Sequence, residues 1–200
     1  AVSVLASFWR NMHAGDIYRA DAMGIGASGA RWLSMLIMGW LVRNPPRSLL
    51  DNAPLRELLT RNLDFAGIER SIAKGALHAV SITASGYESG ESISFFQGHP
   101  SAPPWRRVQR LGIRSPIGVD HLLASSAIPF IFPPTRIHRE YFGDGSMRQL
   151  APISPAIHLG AERVLIVGAS RKNEHLERQR VKTHPSLAQI AGHALSSIFL

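Results

Sequence analysis

A single aspartate in a glycine-rich turn is the residue of this chain best placed to do chemistry. Asp144 lies between Gly143 and Gly145 in the stretch EYFGDGSMRQLAP, residues 140–152, directly after an aromatic pair. A carboxylate at the end of a short apolar run can act as a general base, and flanking glycines allow close backbone approach. An Asp-Gly pair is equally typical of a turn in which the carboxylate bonds its own backbone. If Asp144 reacts, it needs a nucleophilic partner.

The sequence does not contain a good nucleophile elbow, which requires Gly-x-Ser-x-Gly on a turn from strand to helix. The stretch GIGASG, residues 24–29, offers Ser28, but its following glycine comes one position early. The stretch GYESG, residues 86–90, misses the pattern by one residue in the other direction. GIGASG also fits the dinucleotide pattern Gly-x-Gly-x-x-Gly, but polar residues precede it where a strand is needed. We interpret it as a loop.

The residue types exclude several kinds of site. The chain has no cysteine, so disulfides, thiolate metal sites and cysteine nucleophiles are excluded. Its nine histidines are scattered, and none has the His-Glu-x-x-His spacing that places two imidazoles on one helical face. We therefore expect no metal and no cofactor. With no cysteine to indicate an oxidising compartment, the default expectation is a cytoplasmic protein.

The chain is basic, with a formal net charge of +8. Such a balance favours an anionic partner and says nothing about the fold. The densest cluster, WRRVQRLGIR, holds Arg106, Arg107, Arg110 and Arg114 beside Trp105. It is interpreted first as a solvated surface loop, with an anion-binding patch as the alternative. Nucleic acid is the weaker partner, because no helix-turn-helix, stacking motif or zinc finger is present.

Periodicity and turn residues predict an α/β domain over the whole chain, 1–200. The first half of the chain predicts a buried helix at 32–42, a helix capped by Asp51 or Asn52 with Pro54 in its first turn, and two strands within 77–96 that form either a hairpin or neighbouring strands. The second half predicts a short helix ended by Pro129, an extended apolar run to Pro134, a helix over 154–159 stopped by Gly160, a buried strand at 164–167 and an amphipathic segment at 184–200. The opening stretch AVSVLASFWRNMHAG resembles the middle of a helix. We therefore expect further residues upstream.

Three segments together resemble the C-terminal two-thirds of patatin-like phospholipases. They are LHAVSITASGYESGESISFF (77–96), ASSAIPFIFPP (124–134) and YFGDGSMRQLAPISPAIHLGAERVLIVGAS (141–170). The matching positions are Ser125, Ser126, Ala127, Pro129, Pro133, Asp144, Gly145, Pro152 and the strand from Arg163 to Gly168. Ser146 stands where the family has glycine or alanine, a small-residue departure that we expect to be tolerated. The resemblance covers most of residues 50–170.

The resemblance implies a three-layer α/β/α fold and a Ser–Asp dyad that hydrolyses fatty acyl esters. Asp144 takes the position of the general base, supported by Gly143, Gly145 and Ser146. In the family the glycine-rich oxyanion loop and the Gly-x-Ser-x-Gly elbow lie upstream of the matched region. We therefore expect an N-terminally incomplete domain that lacks both, and that has no hydrolase activity when isolated as these 200 residues.

The alternative function is a catalytically inactive relative that binds anionic membranes. Trp105 with Arg106, Arg107 and Arg110 would make the contact, and the protein would be peripheral to the membrane. The two functions predict different partners: a lipid or ester substrate for the enzyme, and a membrane surface for the binding module.

Overall fold

The computed structural model describes residues 2–19, 48–148 and 153–167, together with Gly26 and Ala30. Several predicted features lie outside the described residues. They are the helix at 32–42, Ser28 with most of the 24–29 loop, Pro152, Gly168 and the segment at 184–200.

Five α-helices and six β-strands make up the described chain. The helices are α1 (Val2–Asn11), α2 (Ala53–Asn62), α3 (Ala66–Ala73), α4 (Val119–Ser125) and α5 (Ser154–His158). The strands are β1 (Ala79–Gly86), β2 (Ser92–Gly98), β3 (Trp105–Arg107), β4 (Arg110–Arg114), β5 (Thr135–Ile137) and β6 (Glu140–Asp144). Short 3-10 helices form at Ala14–Asp16 and Gly145–Met147.

The strands form one sheet in the order β3-β4-β2-β1-β6-β5. β2 and β4 are parallel, and every other neighbouring pair is antiparallel. The longest pairing joins β1 to β2, from Ala79 opposite Gly98 to Ser85 opposite Ser92. β6 pairs with β1 only from Ala84 to Gly86. The first part of β1 therefore has a strand partner on one side only, among the described residues.

Alternation along β1 and β2 gives the sheet two chemically different faces. One face carries apolar side chains, and we call it the α4 face. Its members on these strands are Val80, Ile82, Ala84, Ile93 and Phe95. The opposite face carries serine and threonine, and we call it the hydroxyl face. Its members are Ser81, Thr83, Ser85, Ser92 and Ser94, with the buried Phe96 among them.

The α4 face holds the hydrophobic core. Ala124 of α4 is fully buried there, and Phe95 packs edge to face against Phe142 of β6 at 5.3 Å. His121 of α4 is also buried, with its ring 4.8 Å from that of Phe95. Burial lowers the pKa of His121, and the charge of Asp120 opposes that shift more weakly. Burial in this position therefore favours the neutral form of the imidazole.

The hydroxyl face is polar, but only some of its hydroxyl groups make hydrogen bonds. Thr83 Oγ1 and Ser94 Oγ lie 3.0 Å apart across the β1–β2 pair. The buried hydroxyls of Ser81 and Ser85 have no hydrogen-bond partner among the described residues. Helix α5 lies over this face, because His158 stacks on Trp105, which in turn stacks on Phe96. Helices thus flank the sheet on both faces, and the predicted three-layer α/β/α fold is confirmed.

Local turn and capping chemistry was predicted well. Helix α2 begins after Asn52 with Pro54 in its first turn, and Asp51 accepts a hydrogen bond from the Ala53 amide at 2.9 Å. The predicted hairpin is β1–β2. Helix α5 is followed by Gly160 at φ +89°, a left-handed conformation that stops a helix and favours glycine.

Two extended segments were predicted wrongly. Helix α4 ends at Ser125, before Pro129, and the residues that follow form a turn in which the Ile131 and Phe132 amides donate to the carbonyl of Ile128. The predicted strand at 164–167 is not a strand, and Leu165 and Val167 are each 89% exposed. β-Prone side chains form a strand only where a neighbouring backbone supplies hydrogen bonds, and none of the described strands pairs with this segment.

Candidate active site at the end of β6

Asp144 is the last residue of β6, at the point where the β1–β6 pairing stops. It lies opposite Ala84, and its backbone amide donates a 3.0 Å hydrogen bond to the carbonyl of Ala127. Ala127 ends the Ala-Ser-Ser-Ala segment, residues 124–127, which spans the end of α4. Two stretches that are separate in the sequence are therefore joined by a main-chain hydrogen bond at the carboxylate.

The two oxygens of the Asp144 carboxylate are in different situations. Oδ1 accepts hydrogen bonds from the Ser146 amide at 2.8 Å and from the Ser146 hydroxyl at 2.7 Å. Oδ2 accepts no hydrogen bond from any described residue. The first contacts fix the carboxylate as the cap of the 3-10 turn Gly145–Met147. Oδ2 remains able to accept a proton. Asp144 can therefore cap the turn through Oδ1 and act as a base through Oδ2.

The two glycines beside Asp144 are closely packed, Gly145 against backbone and Gly143 against the tip of a side chain. A Cβ on Gly145 would collide with the carbonyl oxygen of Thr83. A Cβ on Gly143 would lie 2.5 Å from the hydroxyl oxygen of Tyr87, which covers this point of the strand. Burial raises the pKa of Tyr87, and the charge of Asp144 raises it further. The phenol therefore stays protonated beside the carboxylate.

A cavity of about 890 Å³ runs from Asp144 along the unpaired edge of β1. Because it wraps around that edge, it has walls from both faces of the sheet. Ile82 and α4 line it on one side, and Ser81, Thr83 and α5 line it on the other. Its surface is mainly apolar with a few polar groups, as is usual for pockets that hold organic ligands.

Three polar residues of the site were not predicted from the sequence. Ser81 and Thr83 line the cavity, and Tyr87 covers Gly143. The available signal was the alternation of hydroxyl residues along the predicted hairpin, which places Ser81 and Thr83 on one face. The sequence alone did not show that this face borders a cavity.

Comparison with protein families now adds a finding to this geometry. The model of the patatin-like phospholipase family matches residues 2–157, which is most of the chain. The chain belongs to that family. No curated protein and no solved structure matches it. This patatin-like chain is thus part of a lipid acyl hydrolase family, which agrees with an aspartate beside a largely apolar cavity.

The arginine cluster of this patatin-like chain is not the predicted loop. It is the antiparallel hairpin β3–β4, and Trp105 lies flat over Gly112 between the rings of Phe96 and His158. The centroid of the Trp105 ring is 5.2 Å from that of Phe96 and 4.9 Å from that of His158. Two ring stacks therefore hold Trp105 in place within the hairpin.

The arginines of the hairpin divide into two groups. Arg114 donates hydrogen bonds to the carbonyls of Gly98 at 2.7 Å and His99 at 3.0 Å, and it also contacts the Ala102 carbonyl, so it fixes the preceding loop. Arg106, Arg107 and Arg110 lie nearer the tip of the hairpin, with Arg106 and Arg107 exposed and Arg110 half-buried. These three donate no hydrogen bond to a described backbone carbonyl, whereas Arg114 does.

Within the described residues, no three metal-ligating side chains cluster. A search of the same residues for a helix long and apolar enough to cross a bilayer found none.

Proposed function

We propose that the protein is a serine-dependent lipid acyl hydrolase in which Asp144 is the general base. The observation that carries the proposal is the position of Asp144. It lines a largely apolar cavity, with Oδ1 fixed by Ser146 and Oδ2 without a partner among the described residues. The nucleophilic serine and the glycine-rich oxyanion loop come from outside these 200 residues, which contain no Gly-x-Ser-x-Gly.

The chemistry follows from this arrangement. As the serine oxygen bonds to the ester carbonyl carbon, its proton passes to Asp144, and the carbonyl oxygen becomes an oxyanion held by backbone amides of the loop. Collapse breaks the bond to the alcohol, which leaves with the proton from Asp144. Water then attacks the acyl-serine with Asp144 again as base, releasing the fatty acid. The apolar walls at Ile82, Leu122 and Leu159 support binding of the acyl chain.

Ser146 is the other serine that contacts the base, and its role must be separated from that of the nucleophile. Its amide and its hydroxyl both bind the same oxygen of Asp144, two residues away. This is the local contact by which short polar side chains cap a turn. We therefore assign Ser146 to holding the carboxylate and not to attacking the ester.

The test is hydrolysis of a short-chain fatty acyl ester by the full-length protein. We expect Asp144→Asn to lower kcat/KM about 10³-fold, because an amide cannot accept the serine proton. Ser146→Ala should retain most of the activity, and Asp64→Asn, which changes an exposed carboxylate on the α2–α3 connection, is the matched control. Full turnover by Asp144→Asn would refute the base, and complete loss in Ser146→Ala would refute an outside nucleophile. The 200-residue chain alone should be inactive.

A second candidate function is an inactive module that binds anionic membranes. The observation that favours it is Val108, which is 90% exposed at the hairpin tip and flanked by Arg107 and Arg110. Co-sedimentation with anionic vesicles but no ester hydrolysis by the full-length protein would select this function. Hydrolysis lost in Asp144→Asn selects the enzyme. A cytoplasmic protein at the membrane periphery is consistent with both and stays a prediction.

A further inference from the structure

A second cavity, of about 610 Å³, is lined by the hairpin β3–β4, the turn after β6 and helix α5. We call it the arginine cavity. Its polar lining consists of Arg107, Arg110, Arg148, Ser154 and His158. We propose that the arginine cavity is a docking site for an acidic peptide segment of a partner protein. The proposal is independent of the proposed function, because it concerns a cavity whose lining does not include Asp144.

The positive charges of the arginine cavity have no acidic partner within the described chain. Arg107 and Arg110 are direct cross-strand partners, so their side chains leave the same face of the hairpin. Like charges directly opposite each other destabilise a sheet. Arg148 adds a third positive charge, and none of the three belongs to a salt bridge between described residues. Carboxylates brought by a partner would offset this repulsion.

The acid that pairs with the hairpin lies on the opposite face of the sheet. Glu91 is 3.9 Å from Arg106. Arg110 pairs with Ser92 and therefore shares the hydroxyl face, whereas Glu91 and Arg106 are each one position away from that face along their strands. The hairpin thus has one arginine beside an acid on the α4 side and two arginines beside none in the cavity.

The shape of the arginine cavity favours a peptide over a flat surface. Its arginines come from separate elements, with Arg107 and Arg110 on the hairpin and Arg148 on the turn after β6. The guanidinium of Arg148 lies beside Gly90, whose Cβ position would be 3.7 Å from Nη2, and Arg110 is half-buried. An anion that contacts both elements must enter the space between them. A carboxylate side chain of a peptide can enter it, whereas a membrane surface meets only the outermost groups.

The arginine cavity also has apolar lining. Val108 is 90% exposed at the tip of the hairpin, and Met147 precedes Arg148 on the turn after β6. Methionine is flexible and adapts to irregular partner surfaces. A peptide supplies carboxylates for the arginines and apolar side chains for Val108 and Met147 in one molecule. An inorganic anion supplies only the charge.

A second copy of this chain does not fit as the occupant. The chain has a formal net charge of +8, so two arginine hairpins brought together repel each other. β3 is the end strand of the described sheet, and charged side chains on an end strand oppose edge-to-edge pairing between copies. The charge of the cavity therefore selects a partner of opposite sign.

The test is calorimetric titration of the full-length protein with a short peptide rich in glutamate with interspersed leucines. The comparison probes are the same peptide with every glutamate replaced by glutamine, and an oligothymidylate of equal charge. We expect the glutamate peptide to bind at least about 10-fold more tightly than the glutamine peptide, and more weakly as salt screens the arginines. Arg110→Gln and Arg148→Gln should each weaken binding of the glutamate peptide about 10-fold.

Arg106→Gln is the matched control, because it removes the same charge from the same hairpin on the opposite face, and it should leave binding unchanged. Equal losses in Arg106→Gln and Arg110→Gln would overturn the proposal in favour of general charge attraction. Equal affinity for the two peptides, or for the glutamate peptide and the oligothymidylate, would also overturn it. Displacement of the peptide by phosphatidylglycerol vesicles, with vesicle binding lost in Arg110→Gln, would assign these arginines to a membrane instead. If thermal unfolding shows that Arg110→Gln does not fold, Arg148→Gln on the exposed turn decides each outcome.

Discussion

The two faces of the central sheet come from the same strands but do different work. On the α4 face, Ile93 and Phe95 are buried beneath helices and form the core. On the hydroxyl face, the hydroxyls of Ser81 and Ser85 are buried without described partners, and both candidate cavities are lined by residues of α5. Substitutions on the α4 face should therefore lower the free energy of unfolding, whereas substitutions of the hydroxyl residues should mainly change ligand binding.

The largest effect is expected from Phe95→Ala. Phe95 is 2% exposed and packs against Phe142 and His121, so its removal leaves a cavity that should cost about 4 kcal/mol of unfolding free energy. Ser81→Ala on the opposite face should change that free energy by less than about 0.5 kcal/mol, because it removes a hydroxyl without a described partner. Urea unfolding of both variants measures the contrast, and similar losses would show that the faces do not differ.

A smaller loss is expected at Gly145, where the faces meet at the site. Gly145→Ala forces a methyl group against the Thr83 carbonyl and should cost about 2 kcal/mol, since β1 must shift. Gly15→Ala is the control, because a Cβ there meets no atom within 4 Å. Thermal unfolding compares the two. Wild-type stability of Gly145→Ala would mean that β1 and the Asp144 turn are not held together as described.

The smallest effect is expected from the pH dependence of His121 on the α4 face. Its folded-state pKa lies below the ordinary value of about 6.5, so the unfolded chain binds more protons as the pH falls. The stability contributed by neutral His121 is therefore complete above about pH 6.5 and is lost as the pH falls below it. In His121→Gln, the decline in stability between about pH 7.5 and about pH 5.5 should be shallower. An unchanged slope would exclude His121 as the group responsible.

Local signals predicted the elements whose structure depends on neighbouring residues. The Asn52 cap, the β1–β2 hairpin and the Gly160 stop follow from turn and capping chemistry that acts within a few residues. The strand predicted at 164–167 was wrong because a run of apolar, β-prone residues has the same sequence pattern whether or not a partner strand is present. The loop predicted for the arginine cluster was wrong for the opposite reason, because its charged residues gave no sign of a partner strand. Pairing of β3 with β4 makes the cluster part of the sheet.

The candidate site shows the same division. Resemblance of the Asp-Gly motif and the Ala-Ser-Ser-Ala segment to one family identified Asp144, and the family match over residues 2–157 confirms the family while the role of Asp144 stays a prediction. Neither motif indicated the hydrogen bond from the Asp144 amide to Ala127, nor the cavity along β1. Both depend on contacts between segments that are distant in the chain.

The sequence by itself determined the chemical character of this protein: a carboxylate between glycines, alternating apolar and hydroxyl residues, an excess of arginine and no cysteine. These properties are carried by residue types and short spacings, which the chain has before it folds. Only the tertiary structure decided which oxygen of Asp144 accepts no hydrogen bond from a described residue, that Trp105 is stacked between two rings, and that Arg148 lines the same cavity as Arg107 and Arg110. Burial and proximity arise when distant segments pack, so no local pattern specifies them.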